Sequence, residues 1–116
     1  MHARVVTVQF RVGAIDDAVR VYRERVLQAA RQQEGFRGLL VLIDPNTGKG
    51  MSVSLWEDAQ RLAQSEAGDY LTQTLSELAP FTASPRFREV FRVELMALDA
   101  TDVERPVGQD EATDSG

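Results

Sequence analysis

The sequence predicts an α+β fold, a four-stranded antiparallel sheet with helices on one face. Three observations carry this reading. Short runs of period-two apolar alternation flank longer stretches whose apolar residues recur every three or four positions. A concentrated turn signal, Pro45-Asn46-Thr47-Gly48, separates two of the strand-like runs. The resulting order is strand, helix, strand, strand, helix, strand, the ferredoxin-like plan.

The first strand spans Ala3 to Val12, where Val6, Val8, Phe10 and Val12 alternate with Val5, Thr7, Gln9 and Arg11. Gly13 ends the alternation. Ile15, Val19, Tyr22, Val26 and Ala29 or Ala30 then mark an amphipathic helix reaching about Gln33, with Asp16 and Asp17 suited to its positive N-terminus. Glu34-Gly35 closes that helix, and the unbroken apolar run Leu39 to Ile43 lies in a second strand over Phe36 to Asp44. After the turn, Met51, Val53 and Leu55 alternate with Ser52, Ser54 and Trp56, so the second and third strands form a hairpin. Glu57-Asp58 opens a helical stretch through Ala59, Leu62 and Ala63. Gly68 interrupts it, and Tyr70, Leu71, Leu75 and Leu78 continue it to Pro80. The last strand is expected from Arg86 to Leu98, with Phe87, Phe91, Val93, Leu95 and Ala97 on one face and Arg88, Val90, Arg92, Glu94, Met96 and Leu98 on the other. Residues 1–98 thus form one domain, and residues 99–116, which lack any period, read as a disordered acidic tail. Deleting residues 99–116 is expected to leave the melting temperature unchanged; a large fall would show that the tail docks on the domain.

Composition narrows the function classes. The chain of 116 residues has no Cys, which removes disulfide scaffolds, thiol nucleophiles and Cys-ligated metals. At this size folding buries roughly 60 to 70% of the unfolded surface, enough for one core with little to spare. The formal charge of −5 resides in the tail, because residues 1–98 carry twelve acidic and twelve basic residues. The basic residues are scattered rather than striped, which argues against nucleic acid as a partner. No stretch approaches the roughly 20 apolar residues of a membrane helix, and the first residues do not read as a signal peptide, so a cytoplasmic protein without a membrane partner is expected.

Two local patterns fail as ligand motifs. Thr47-Gly48-Lys49-Gly50 lacks the spacing and helix start of a phosphate loop. The segment from Asp44 lacks the sixth-position Gly and twelfth-position Glu of a calcium loop, having Lys49 and Leu55 there. No metal site is expected.

The run from Leu39 to Ile43 is apolar on both sides, so the sheet face away from the helices needs a cover. A second copy is the simplest one, since closed two-fold dimers are the commonest oligomers.

Over residues 3–98 the sequence resembles the antibiotic-biosynthesis monooxygenase-like domains of the dimeric α/β barrel superfamily. The resemblance rests on the element order, on Glu34-Gly35-Phe36-Arg37-Gly38 entering the second strand, on the Asp44 to Gly50 hairpin, and on Leu55-Trp56-Glu57 leading into a helix. It implies two sheets packed face to face into a barrel, a homodimer, with a pocket in each protomer between sheet and helices. It also implies cofactor-free oxygenation of quinol or anthrone-like aromatics as one activity, haem degradation as another, and domains with no assigned activity as a third. The haem-degrading branch uses a helix-borne His as iron ligand. His2 is the one His here, outside both helices, and the pattern's Asn on the first strand is absent, Gln9 being the nearest polar candidate. Haem degradation is therefore argued against, and no cofactor is expected.

Within that frame four residues are candidates for the site. Trp56 matches the family motif and offers one donor and a flat apolar wall, though a lone Trp at a strand end commonly packs a core or an interface. Its parity with Ser52 and Ser54 leaves open whether it faces a pocket or the partner sheet. Tyr22 and Tyr70 lie on the apolar stripes of the helices, where a phenol could reach an aromatic substrate as donor or base, or simply fill core. Arg92, like Arg88 and Gln9, is a polar residue within a strand; an Arg beside a pocket could hold an enolate or phenolate oxygen, while an exposed strand face would explain it equally. With no pocket His, the base would be a Tyr or a carboxylate, or the substrate would ionise unaided. The competing class is a non-catalytic homodimer that binds a small apolar or aromatic ligand or serves in assembly. Convergence of Trp56, Tyr22, Tyr70 and an Arg on one cavity separates the two.

Overall fold

A computed structural model describes residues 1–83 and 87–99 of the chain. Four strands, β1 (His2–Gln9), β2 (Phe36–Ile43), β3 (Lys49–Trp56) and β4 (Phe87–Arg92), form one antiparallel sheet in the order β2-β3-β1-β4. Helical segments α1 (Ile15–Val21), α2 (Leu27–Arg31), α3 (Ala59–Ala67) and α4 (Asp69–Leu78) connect them. The α+β ferredoxin-like plan is thus the architecture of the chain.

The core lies between one sheet face and the helices. Val6, Val8 and Phe10 from β1 and the residue after it pack against Ala18, Tyr22 and Val26 from the first helical rod and Leu78 from α4. Leu39, Val41 and Ile43 complete this layer from β2. Phe10 is seated over Gly50, where any Cβ would strike its ring. Burying such side chains contributes about 1.5–3 kcal/mol each.

The first helical rod differs from a uniform helix. Between α1 and α2 the residues Tyr22–Val26 form a wide π-turn. The buried stripe is Ala18, Tyr22, Val26 and Ala30, a run of four-residue spacings. Such a run drifts by about 40° per step in a 3.6-residue helix; the wider turn takes up drift and keeps Tyr22 and Val26 toward the sheet. Local signals behave as expected elsewhere. Asp58 caps α3 by accepting the Arg61 N–H at 2.8 Å, and Gly68 in extended conformation separates α3 from α4. In the hairpin turn the Asp44 carboxylate accepts from the Asn46 and Thr47 N–H groups, which holds its pKa below the usual value. Gly48 adopts φ +80° directly against the Phe10 carbonyl, a place where only Gly fits.

Two expectations are corrected. The first strand stops at Gln9, and Val12 lies in an exposed 3-10 turn, Val12–Ala14. The last strand ends at Arg92 rather than Leu98, because its partner β1 begins at His2; one further bond, from the Val93 N–H to the Met1 carbonyl at 2.9 Å, closes the ladder. Leu95, Met96 and Leu98 continue past the sheet and are exposed. Arg86, the expected first residue of that strand, and the expected tail beyond Asp99 lie outside the described residues.

Among the described residues nothing covers the second sheet face. Leu40 and Leu42 are 45% and 50% exposed, and Phe87 is 70% exposed. By register they share that face with Val5, Val53, Met51 and Phe91. The doubly apolar run of β2 therefore resolves into Leu39, Val41 and Ile43 toward the helices and Leu40 and Leu42 away from them.

Candidate functional site

Between the sheet and the helices lies a crevice of about 440 Å³, counted out to its mouth, whose enclosed part admits only water-sized molecules. Its walls come from β1, β2, β3, the π-turn and α4. Val6, Val8, Val26, Leu39, Leu71, Leu75 and Leu78 make it largely apolar, while Arg4, Tyr22, Ser52, Ser54, Tyr70 and Thr74 supply polar groups.

Tyr22 and Tyr70 thus meet on one cavity, from opposite helices. Tyr22 is buried with its ring edge-on to Phe10 at 6.2 Å. Burial raises the Tyr70 pKa; Arg4 and Thr74 oppose the shift without cancelling it. Its phenol therefore stays protonated at neutral pH and acts there as a hydrogen-bond donor rather than a base.

Trp56 faces the helices, not the open side of the sheet, and stands behind the cavity wall. It is 0% exposed, edge-on to Phe36 at 5.6 Å and to Tyr70 at 6.2 Å. Its Nε1 donates to Ser54 Oγ at 2.9 Å, and that hydroxyl donates in turn to the Arg4 carbonyl at 3.5 Å. Arg92 lies elsewhere: its side chain is exposed and pairs with Glu94. Gln9 serves the hairpin, donating to the Phe10 and Thr47 carbonyls.

Arg4 is the polar residue of the site that the sequence reading missed. It is 3% exposed and sits on β1 at the parity of Val6 and Val8. That parity was the available signal, a cation on the apolar side of an alternating strand. Its Nη1 donates to Ser65 Oγ at 2.7 Å and lies 3.3 Å from Glu66 Oε2; the guanidinium carbon lies 5.3 Å from the centroid of the Trp56 ring. The Ser65 hydroxyl in turn donates a hydrogen bond to the Leu62 carbonyl at 2.6 Å. Arg88, from β4, reaches the same Glu66 oxygen at 2.6 Å. Burial lowers the Arg4 pKa, with Tyr70 and Glu66 countering it, and a guanidinium remains charged under these conditions.

Fold and site together define a small α+β domain whose sheet carries an apolar cavity under its helices. No family model matches the chain, and no curated protein does either. Solved structures do. An antibiotic biosynthesis monooxygenase shares 17% identity at a TM-score of 0.64, with 80% of this chain and 98% of that one covered. SnoaB, a cofactor-independent oxygenase from Streptomyces nogalater, shares 12% identity at a TM-score of 0.60, covering 82% of this chain and 95% of its own. The heme-degrader MhuD from Mycobacterium tuberculosis shares 17% identity at a TM-score of 0.67, covering 84% and 99%. The chain therefore has the fold of the antibiotic biosynthesis monooxygenases. The residues do not fit haem held as that resemblance implies, since α3 and α4 carry no His and the cavity wall contains none. Among the described residues no three of His, Cys, Asp or Glu are grouped to hold a metal ion, and no helix is long and apolar enough to cross a membrane.

Proposed function

We propose that the chain forms a homodimer through its open sheet face and oxygenates a small polycyclic phenol, quinol or anthrone-like substrate without a cofactor. The observation that carries this reading is the meeting of Tyr22 and Tyr70 on one apolar cavity. The likeness to SnoaB, a cofactor-independent oxygenase, supports it. In such a reaction the ionised ring supplies the electrons. For an anthrone, one ring methylene and one O₂ give one carbonyl and one water. The protein excludes bulk water and donates a hydrogen bond to the developing oxyanion, which suits the protonated Tyr70. Because the enclosed space is narrow, a ring enters with Leu71 and Leu75 of α4 displaced outward.

The test is oxygen uptake by metal-free protein with a panel of anthrones and dihydroxynaphthalenes against a heat-denatured control. Saturable uptake is expected, and Tyr70→Phe is expected to lower kcat about a hundredfold with the melting temperature kept. Uptake equal to the denatured control across the panel would sink the oxygenase reading. One observation favours a second reading, a non-catalytic binder of small aromatic ligands: burial raises rather than lowers the cavity phenol, which leaves Tyr70 a poor base. Ligand binding without uptake would establish it.

A further inference from the structure

We infer that Arg4 is the anion-binding, specificity-determining residue of the cavity, so that the site takes its aromatic ligand with an ionised oxygen set against the Arg4 guanidinium. This rests on the reading of the cavity as a ring-binding site.

The first support is the charge count around Arg4. Arg4 and Arg88 both direct Nη1 at the single oxygen Oε2 of Glu66. Two guanidinium charges therefore share one carboxylate, and among the described residues no second acidic group pairs with Arg4. Arg88 is half exposed, so its charge is screened by solvent, whereas Arg4 is buried at the cavity wall. A buried charge that is incompletely paired is costly, and a ligand anion offsets that cost where a neutral ligand cannot.

The second support is geometry. Ser65 and Glu66 both engage Nη1 and the Tyr70 phenol takes a further hydrogen bond from the guanidinium, so part of its fork of five N–H donors remains for a ligand. The group is held in place before any ligand arrives, by Ser65 at 2.7 Å on one side and the Trp56 ring on the other. A fixed, desolvated guanidinium at an apolar wall is the arrangement that discriminates an oxyanion from its neutral isostere. Tyr70 does not compete for the role of anion, because its burial keeps the phenol protonated.

The experiment compares 2-naphthoate with its neutral isostere 2-naphthamide by calorimetric titration of the full chain at neutral pH. Naphthoate is expected to bind about ten- to a hundredfold more tightly. Arg4→Met is expected to erase that preference while leaving naphthamide affinity within about twofold, and Arg4→Lys, which retains the charge, to keep part of it. Glu66→Gln removes the competing carboxylate and is expected to tighten naphthoate severalfold with naphthamide unmoved. The gain is expected to vanish when Glu66→Gln is combined with Arg4→Gln, and its survival in that double variant overturns the inference. Equal binding of the two probes by the wild-type chain, or a preference that survives Arg4→Met, overturns the inference and leaves the ring-binding cavity standing. Failure of both probes to bind overturns the ring-binding reading, and this inference with it.

Discussion

Trp56→Ala is expected to destabilise the domain by about 3–5 kcal/mol, read as a large fall in the urea midpoint. The magnitude follows from its surroundings. The indole is wholly buried between Phe36 and Tyr70, its Nε1 holds Ser54, and its face carries Arg4. Truncation would open a cavity, remove the Ser54 hydroxyl's donor and take away the surface on which a buried cation rests. Against a typical total of about 5–15 kcal/mol, that loss leaves little margin. Lost activity in this variant would therefore report lost structure. Tyr70→Phe is the sharper probe of chemistry, since it removes one hydroxyl and keeps the ring. A Trp56→Ala protein with an unchanged midpoint but no turnover would reverse this view and place the indole at the substrate.

The second large effect separates the two sheet faces with neighbouring residues. Val41 packs under the helices, while Leu42 points to the open face. Val41→Glu buries an unpaired carboxylate in the core and is expected to cost more than about 4 kcal/mol, enough to unfold much of the population. Leu42→Glu is expected to leave circular dichroism unchanged and to weaken self-association by about 2 kcal/mol or more, roughly thirtyfold in Kd. Sedimentation velocity measures the second outcome. A Leu42→Glu chain that associates as tightly as the parent would remove the second copy as the cover of that face.

Much of the fold was legible because its signals are local. Pro45-Asn46-Thr47-Gly48, the Asp58 cap and the Gly68 break each act within a few residues, and the structure shows turn, cap and break at those positions. What escaped depends on pairing across the chain. The end of β4 at Arg92 is set by where β1 begins, which no property of residues 93–98 reveals. The π-turn is set by fit to the sheet, so the stripe beginning at Ala18 was hidden behind the bulkier Ile15 and Val19.

The site was legible in part for similar reasons. Both tyrosines stand on helix stripes, and period alone leads them to the cavity. The side on which Trp56 lies was ambiguous because its parity mates are serines. In the fold Ser54 satisfies the indole, and α3 brings Ser65 to Arg4. Arg92 and Arg4 are both arginines on β strands at the same parity of the sheet. One reaches water and Glu94 at the edge; the other is enclosed by α3 and by β3 and β4 on either side. That difference is one of neighbours and cannot be seen from either residue's own segment.

The central place of β1 also governs the order in which this chain can assemble. Its neighbours β3 and β4 lie far along the sequence, with His2 opposite both Trp56 and Arg92. Among the described strands only the β2–β3 hairpin can zip from a local turn. The middle of the sheet must wait for long loops to close, an entropic toll that local contacts do not offset in advance. Until then the apolar strands Val5 to Val8 and Leu39 to Ile43 stand with open edges, and the nascent chain is at its most vulnerable to sticking to other copies of itself.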